Sequence, residues 1–188
     1  MTTKITPFVL AFVCYLSLLL FQLFVIYPYE NEHGSSVTTF ASLVFLPHLV
    51  RVLSVWMLGP LAFFALLPAD IIFQFSAHPD RQLTDLQMLV PFVSSGAAVI
   101  TFELLKLTGT NLYMSATNRT SWRSLLLIGT IASVINSTSL SVLYQGQLIP
   151  DVSLQLVATY IVGDTIGLLF GLLALIILRR LLKLHAEH

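Results

Sequence analysis

Five polar side chains stand inside stretches of sequence that are otherwise apolar enough for a lipid bilayer: His48, Arg51, Asp70, Asn136 and Asp164. Buried together, one guanidinium, two carboxylates, an imidazole and an amide can form a structural ion-pair network or a small polar site that takes a ligand. Asp164 is the acid most deeply embedded by sequence, in residues 158–180, a run as long as a membrane-crossing helix needs. A carboxylate facing lipid is costly without a partner, so Asp164 should look inward and have one. Arg51 is the leading expectation, as the only Lys or Arg away from the ends of an expected span. Two others stay open: Asp70 through a shared proton, and Asn136 through a hydrogen bond. Arg51 also has a bland reading, in which it snorkels to the cytoplasmic interface. Asp70, just after Pro68, has one too, in a wet helix end. His48 and Arg51 are three residues apart and share a helix face.

Other reactive constellations are missing. The sequence has no Walker loop, dinucleotide fingerprint, HExxH, CxxC or Gly-x-Ser-x-Gly elbow, so no enzyme activity and no cofactor are expected. His33, His48, His78, His185 and His188 never share a span, which argues against a helical metal or haem site. The single cysteine, Cys14, reads as a small packed hydrophobe in an apolar run. Glu103 and Lys106, near a helix end, read as a solvated pair.

The elements that must position these residues follow from composition. Only 10% of the 188 residues are charged and the mean hydropathy is +0.88, which excludes an ordinary soluble domain. The expected fold is all-α: a single integral membrane domain, 1–188, built as a polytopic helical bundle of about six spans whose solvent is the lipid bilayer. Lys and Arg (9) balance Asp and Glu (9), so charge points to no nucleic-acid partner. The expected spans are 7–26, 37–56, 59–75, 89–107, 122–144 and 158–180. The first is too long for a signal-peptide core and lacks a small-residue cleavage site after it. Residues 27–36, 76–87, 108–121 and 145–153 read as loops. The second span should kink or split at Pro47, and the second and third should part at Gly59-Pro60. Residues 136–141, Asn-Ser-Thr-Ser-Leu-Ser, are polar for a span and should face inward.

Gly163, Gly167 and Gly171 recur every fourth residue and form a smooth stripe for close helix packing, with Asp164 beside it. Leucine at position 167 should therefore harm the fold more than Leu168→Ala does. Ala65 and Ala69 repeat the small-residue spacing in the third span. Orientation follows from basic residues: Lys4, the segment 106–123, and Arg179, Arg180 and Lys183 should be cytoplasmic, with both termini inside. Arg81 departs from this pattern.

Two motifs carry a resemblance. The run FLPHLVRVL from Phe45, followed by WMLGPL from Trp56, resembles the kinked helix and Gly-containing turn of bacterial membrane-associated sensor (MASE-type) domains. VGDTIG from Val162 is similar to that family's final-helix Gly-Asp-x-x-Gly, and SWRSLL from Ser121 to the opening of its penultimate span. His48 and Leu49 stand where the family tends to have a small residue, the spans are fewer than usual, and no output module is expected after Arg180. The resemblance implies a sensory or ligand-binding module of the bacterial inner membrane that binds an unidentified small ligand and acts through a membrane or cytoplasmic signalling partner. A different class is also compatible with the chain: the substrate-binding S component of energy-coupling-factor transporters, which are similarly small, although their Ala-x-x-x-Ala stripe lies on the first span. A structural or assembly subunit is the third reading.

Overall fold

A computed structural model describes residues 2–33, 42–77, 84–115, 121–143 and 150–186. His78, Arg81, Arg119 and His188, and the start of the expected second span at residues 37–41, lie outside these. Among the described residues all regular structure is helical, and five helical runs are long and apolar enough to cross a membrane: Ile5–Glu30, Pro47–Ala77, Gln87–Leu107, Trp122–Leu143 and Val157–Lys183.

The first helix does not stop where the polar residues begin. α1 (Thr2–Phe21) passes through a π-turn, Gln22–Ile26, into α2 (Tyr27–His33), so residues 27–33 are helix rather than the expected loop. Pro28 has no N–H to give to an ordinary helical ladder, and the chain changes hydrogen-bond register just before it, where the Tyr27 N–H reaches back to the Gln22 carbonyl. The turn leaves the Gln22 side chain fully buried.

Pro47 opens a helix instead of kinking one. A proline at the first helical position loses nothing, because that N–H has no intrahelical partner in any case. α3 accordingly spans Pro47–Leu58, and residues 42–46 before it are not helical, so 37–56 is not one continuous helical span. At twelve residues α3 is roughly 18 Å long, well short of a bilayer core of about 30 Å. It ends at Gly59, whose φ of 68° suits a residue without a side chain. A short 3-10 turn, Gly59–Leu61, leads into α4 (Ala62–Ala77). Although α3 and α4 are nearly contiguous, Arg51 Nη2 lies 3.9 Å from Asp70 Oδ1. A straight helix would hold those residues roughly 28 Å apart. The two helices therefore form a hairpin folded at Gly59-Pro60.

α5 (Val90–Leu107), α6 (Trp122–Leu143) and α7 (Pro150–Ala186) complete the bundle. α7 begins before and ends beyond the expected 158–180 span, and its 37 residues reach roughly 55 Å, more than a bilayer core. α1, α4, α5, α6 and α7 touch in that order, and α3 touches all five. The short helix is thus the central one. The chain reaches it between α1 and α7, where Gln22 Nε2 donates to Ser42 Oγ at 2.8 Å and the Phe45 N–H to the Gly163 carbonyl at 3.0 Å.

The glycine stripe explains why that route is open. A Cβ at Gly163 would collide with the Ser42 carbonyl, one at Gly167 with the Phe45 carbonyl, and one at Gly171 with the Leu49 side chain. The stripe receives the non-helical segment and the first turn of α3. The same three contacts show the chain at residues 42–49, leading into α3, running parallel to α7. Leu168, next to the stripe, is fully buried and lies where a Cβ on Gly129 would point, so Leu168→Ala would open a cavity and is no neutral control for Gly167. Cys14 is exposed on the outside of the bundle rather than packed within it.

Candidate intramembrane polar site

Two polar centres meet on α3, one turn apart. The first joins four helices. Arg51, 2% exposed, donates from Nε (3.1 Å) and Nη2 (2.6 Å) to the phenol oxygen of Tyr15 on α1. Tyr15 passes its own proton donor on to Asp70 Oδ1 on α4 at 2.8 Å, and Ser95 on α5 donates to Asp70 Oδ2 at 2.6 Å. The phenol thus accepts a cation's N–H groups and donates to an anion, which its single O–H and its lone pairs allow. The guanidinium also lies 5.7 Å from the Tyr15 ring centre and 5.9 Å from that of Phe45. One atom, Arg51 Nη1, is buried without a hydrogen-bond partner.

The second centre joins α3, α6 and α7. His48 is fully buried, and its Nε2 is 3.0 Å from the Gly129 carbonyl oxygen. A carbonyl can only accept, so Nε2 carries a hydrogen. The other ring nitrogen, Nδ1, faces Asp164 Oδ2 at 3.6 Å, and Ser133 Oγ donates to the same carboxylate oxygen at 2.7 Å. Small size at Gly129 permits this approach, since a Cβ there would press on Leu168, His48 and Val52.

The five expected residues are all buried, but they are distributed differently from the expectation. Asp164 is not the ion-pair partner of Arg51; Asp70 is. Register supplies the reason. With Leu49 seated against Gly171, Arg51 sits on the order of 10 Å further along the bundle than Asp164, and His48 occupies the position between. His48 and Arg51 share a broad face, yet the guanidinium turns toward α1 and α4 while the imidazole turns toward α6 and α7. Arg51 does not snorkel, and Asp70 is not in a wet helix end. Asn136 is 4% exposed and its Oδ1 has no partner; the α6 side chain that reaches Asp164 is Ser133, one turn earlier. Ser133, Asn136, Ser137 and Leu140 continue the buried stripe of α6 that begins at Leu125, so part of the polar run expected to face inward does so.

Sequence reasoning missed Tyr15, Ser95 and Ser133. Each is a hydroxyl within an apolar run, and that was the available signal, but nothing in spacing says which hydroxyl meets which acid.

At the α5 end of the bundle the solvated pair is present, Lys106 Nζ to Glu103 Oε2 at 3.4 Å, with Tyr113 donating to Glu103 Oε1 at 2.7 Å. Partial burial, and then the bond to Glu103, push the Tyr113 phenol above the ordinary tyrosine range. Tyr113 stacks on Phe102, and the Met114 N–H donates to the Trp56 carbonyl at 2.9 Å, so residues 108–115 close over the end of α3. Among the described residues no group of three or more His, Cys, Asp or Glu could hold a metal ion. No protein-family model, curated protein or solved structure matches the chain.

Proposed function

We propose that the protein is a sensory or ligand-binding module of a bacterial inner membrane, of the MASE-type class its motifs resemble, working through a membrane or cytoplasmic partner. The carrying observation is the place of α3: a half-length central helix that touches every other helix long enough to matter and bears both buried charged centres. A ligand that alters either centre acts on the element through which all the helices are coupled. Arg51 Nη1, buried and unpartnered, supplies a donor for such a ligand.

In this reading the chain crosses the bilayer six times, with the α3–α4 hairpin supplying two crossings, the first completed by the non-helical residues 42–46. The beginning of α1, the end of α5, the beginning of α6 and the end of α7 then share one side. That side has Lys4, Lys106, Arg123, Arg179, Arg180 and Lys183, which supports cytoplasmic termini. The transport alternative loses its stripe: Ala65 and Ala69 are buried inside the bundle, where no coupling subunit can reach them.

Thermal unfolding of the purified protein at fixed pH, across a panel of small polar metabolites, tests the reading. A binder of the native state present at a hundred times its Kd adds about 2.7 kcal/mol of stability. Stabilisation of the wild type that is lost in Arg51→Met/Asp70→Asn supports a ligand site at α3. A panel with no stabilising compound, or stabilisation unchanged in that variant, opposes it and favours the structural reading.

A further inference from the structure

Among the described residues the ionisable groups buried in the bundle are Tyr15, His48, Arg51, Asp70 and Asp164. Arg51 and Asp70 cancel, with the neutral Tyr15 phenol between them. Asp164 has no cation of its own. If His48 is neutral and Asp164 ionised, the interior holds one uncompensated negative charge, and the Nδ1 lone pair points at a carboxylate oxygen 3.6 Å away. Both features are unfavourable in a dry interior. A single added proton removes both, because the edge becomes either an imidazolium beside a carboxylate or an imidazole accepting from a carboxylic acid.

We propose that the His48–Asp164 edge is a proton-binding site whose occupancy sets the position of α3. The step is simple addition: a proton from water binds on the Nδ1–Oδ2 edge, no other bond breaks, and the interior goes from net negative to neutral. The Gly129 carbonyl fixes the tautomer by holding Nε2–H, and Ser133 holds Asp164 in place. A proton also needs no cavity.

The groups facing the edge from the surrounding helices leave it as the titrating unit. On α3 itself Arg51 lies one turn away; Tyr15 on α1 and Asp70 on α4 are both engaged with Arg51. α5 presents Ser95, already donating to Asp70, while its Glu103 and Lys106 pair with each other at the bundle end. α6 presents Ser133 and the Gly129 carbonyl, with Arg123 beside Trp122 at its start, and α7 has its Arg179, Arg180 and Lys183 at its far end. Movement of α3 has a route outward, since the Trp56 carbonyl holds the Met114 N–H of segment 108–115. This inference deepens the sensory reading by naming one ligand, the proton. It rests on that reading only in taking α3 as the responsive element.

The chain has two tryptophans, so Trp122→Phe leaves Trp56, at the end of α3, as an intrinsic reporter. That protein, reconstituted in liposomes without added ligand, is titrated between about pH 4 and 9 while Trp56 emission is recorded. The expected result is one reversible single-proton transition. It should vanish in Asp164→Asn, with emission held at the low-pH value, because the amide leaves no negative charge on the edge for a proton to cancel. Ser133→Ala, which retains the carboxylate, should displace the midpoint by about one pH unit, whereas Ser95→Ala at Asp70 should leave it in place. A flat wild-type titration overturns the proposal, as does a transition unchanged by Asp164→Asn. Should Asp164→Asn fail to fold, an unmoved midpoint in Ser133→Ala overturns it instead. The metabolite panel at fixed pH is a separate readout, so either result can fail while the other stands.

Discussion

The two acids of the bundle interior have opposite circumstances. Asp70 has a cation at 3.9 Å, a phenol and a serine hydroxyl donating to it, and a formal charge that Arg51 cancels. Asp164 has a serine hydroxyl and an imidazole nitrogen without a hydrogen-bond partner, and no permanent cation. Both are almost wholly buried. Burial alone therefore does not tell a staple from a site: the first centre ties α1, α3, α4 and α5 together with balanced charge, while the second keeps a place for one more proton.

Removing each acid separately should give the largest difference between the two centres. Asp70→Asn strands a buried guanidinium and should cost about 3–5 kcal/mol, as breaking one side of a buried pair does. At low pH, where the edge already holds its proton, Asp164→Asn strands no charge and should cost only about 1 kcal/mol, the scale of one hydrogen bond. Denaturant unfolding in mild detergent reads both, and equal losses would erase the distinction. Next in size is the glycine stripe, which holds the route into α3. Gly167→Ala drives a Cβ into the Phe45 carbonyl and should cost about 1–3 kcal/mol, while truncating the exposed Phe170 on the same helix should cost far less. Similar losses would mean that residues 42–46 shift easily and that α3 is not tightly seated. Smallest is Lys106→Ala: its pair with Glu103 is exposed, and the unfolding midpoint should not change measurably.

Much of the architecture was legible because a bilayer imposes it. Long apolar runs become helices, and the glycine spacing at residues 163, 167 and 171 marks a close backbone contact whatever its partner. The ends of helices were less legible. Residues 27–33 read as a loop from their polarity, yet a π-turn ahead of Pro28 carries the helix through them. Pro47 read as a kink because the apolar run continues on both sides of it, and composition cannot distinguish a bent helix from one that starts there. The site shows the same limit. The right residue types could be picked out, but pairing depends on axial register, and the sequence has no measure of it. His48 proved to be the group between Arg51 and Asp164, and Tyr15 the bridge from Arg51 to Asp70, because α3 enters the bundle part-way along α7.

Arg51 is balanced by Asp70, and Asp164 is left with His48. Two double-mutant cycles measured by unfolding test this pairing directly: Arg51→Met with Asp70→Asn, and Arg51→Met with Asp164→Asn. The first pair should be strongly non-additive, with the double variant recovering more than about 1 kcal/mol over the sum of the single losses, because no stranded charge remains. The second should couple much more weakly, since Asp164 reaches the guanidinium only through its longer-range charge. Strong coupling of Arg51 to Asp164 with additivity toward Asp70 would contradict the account.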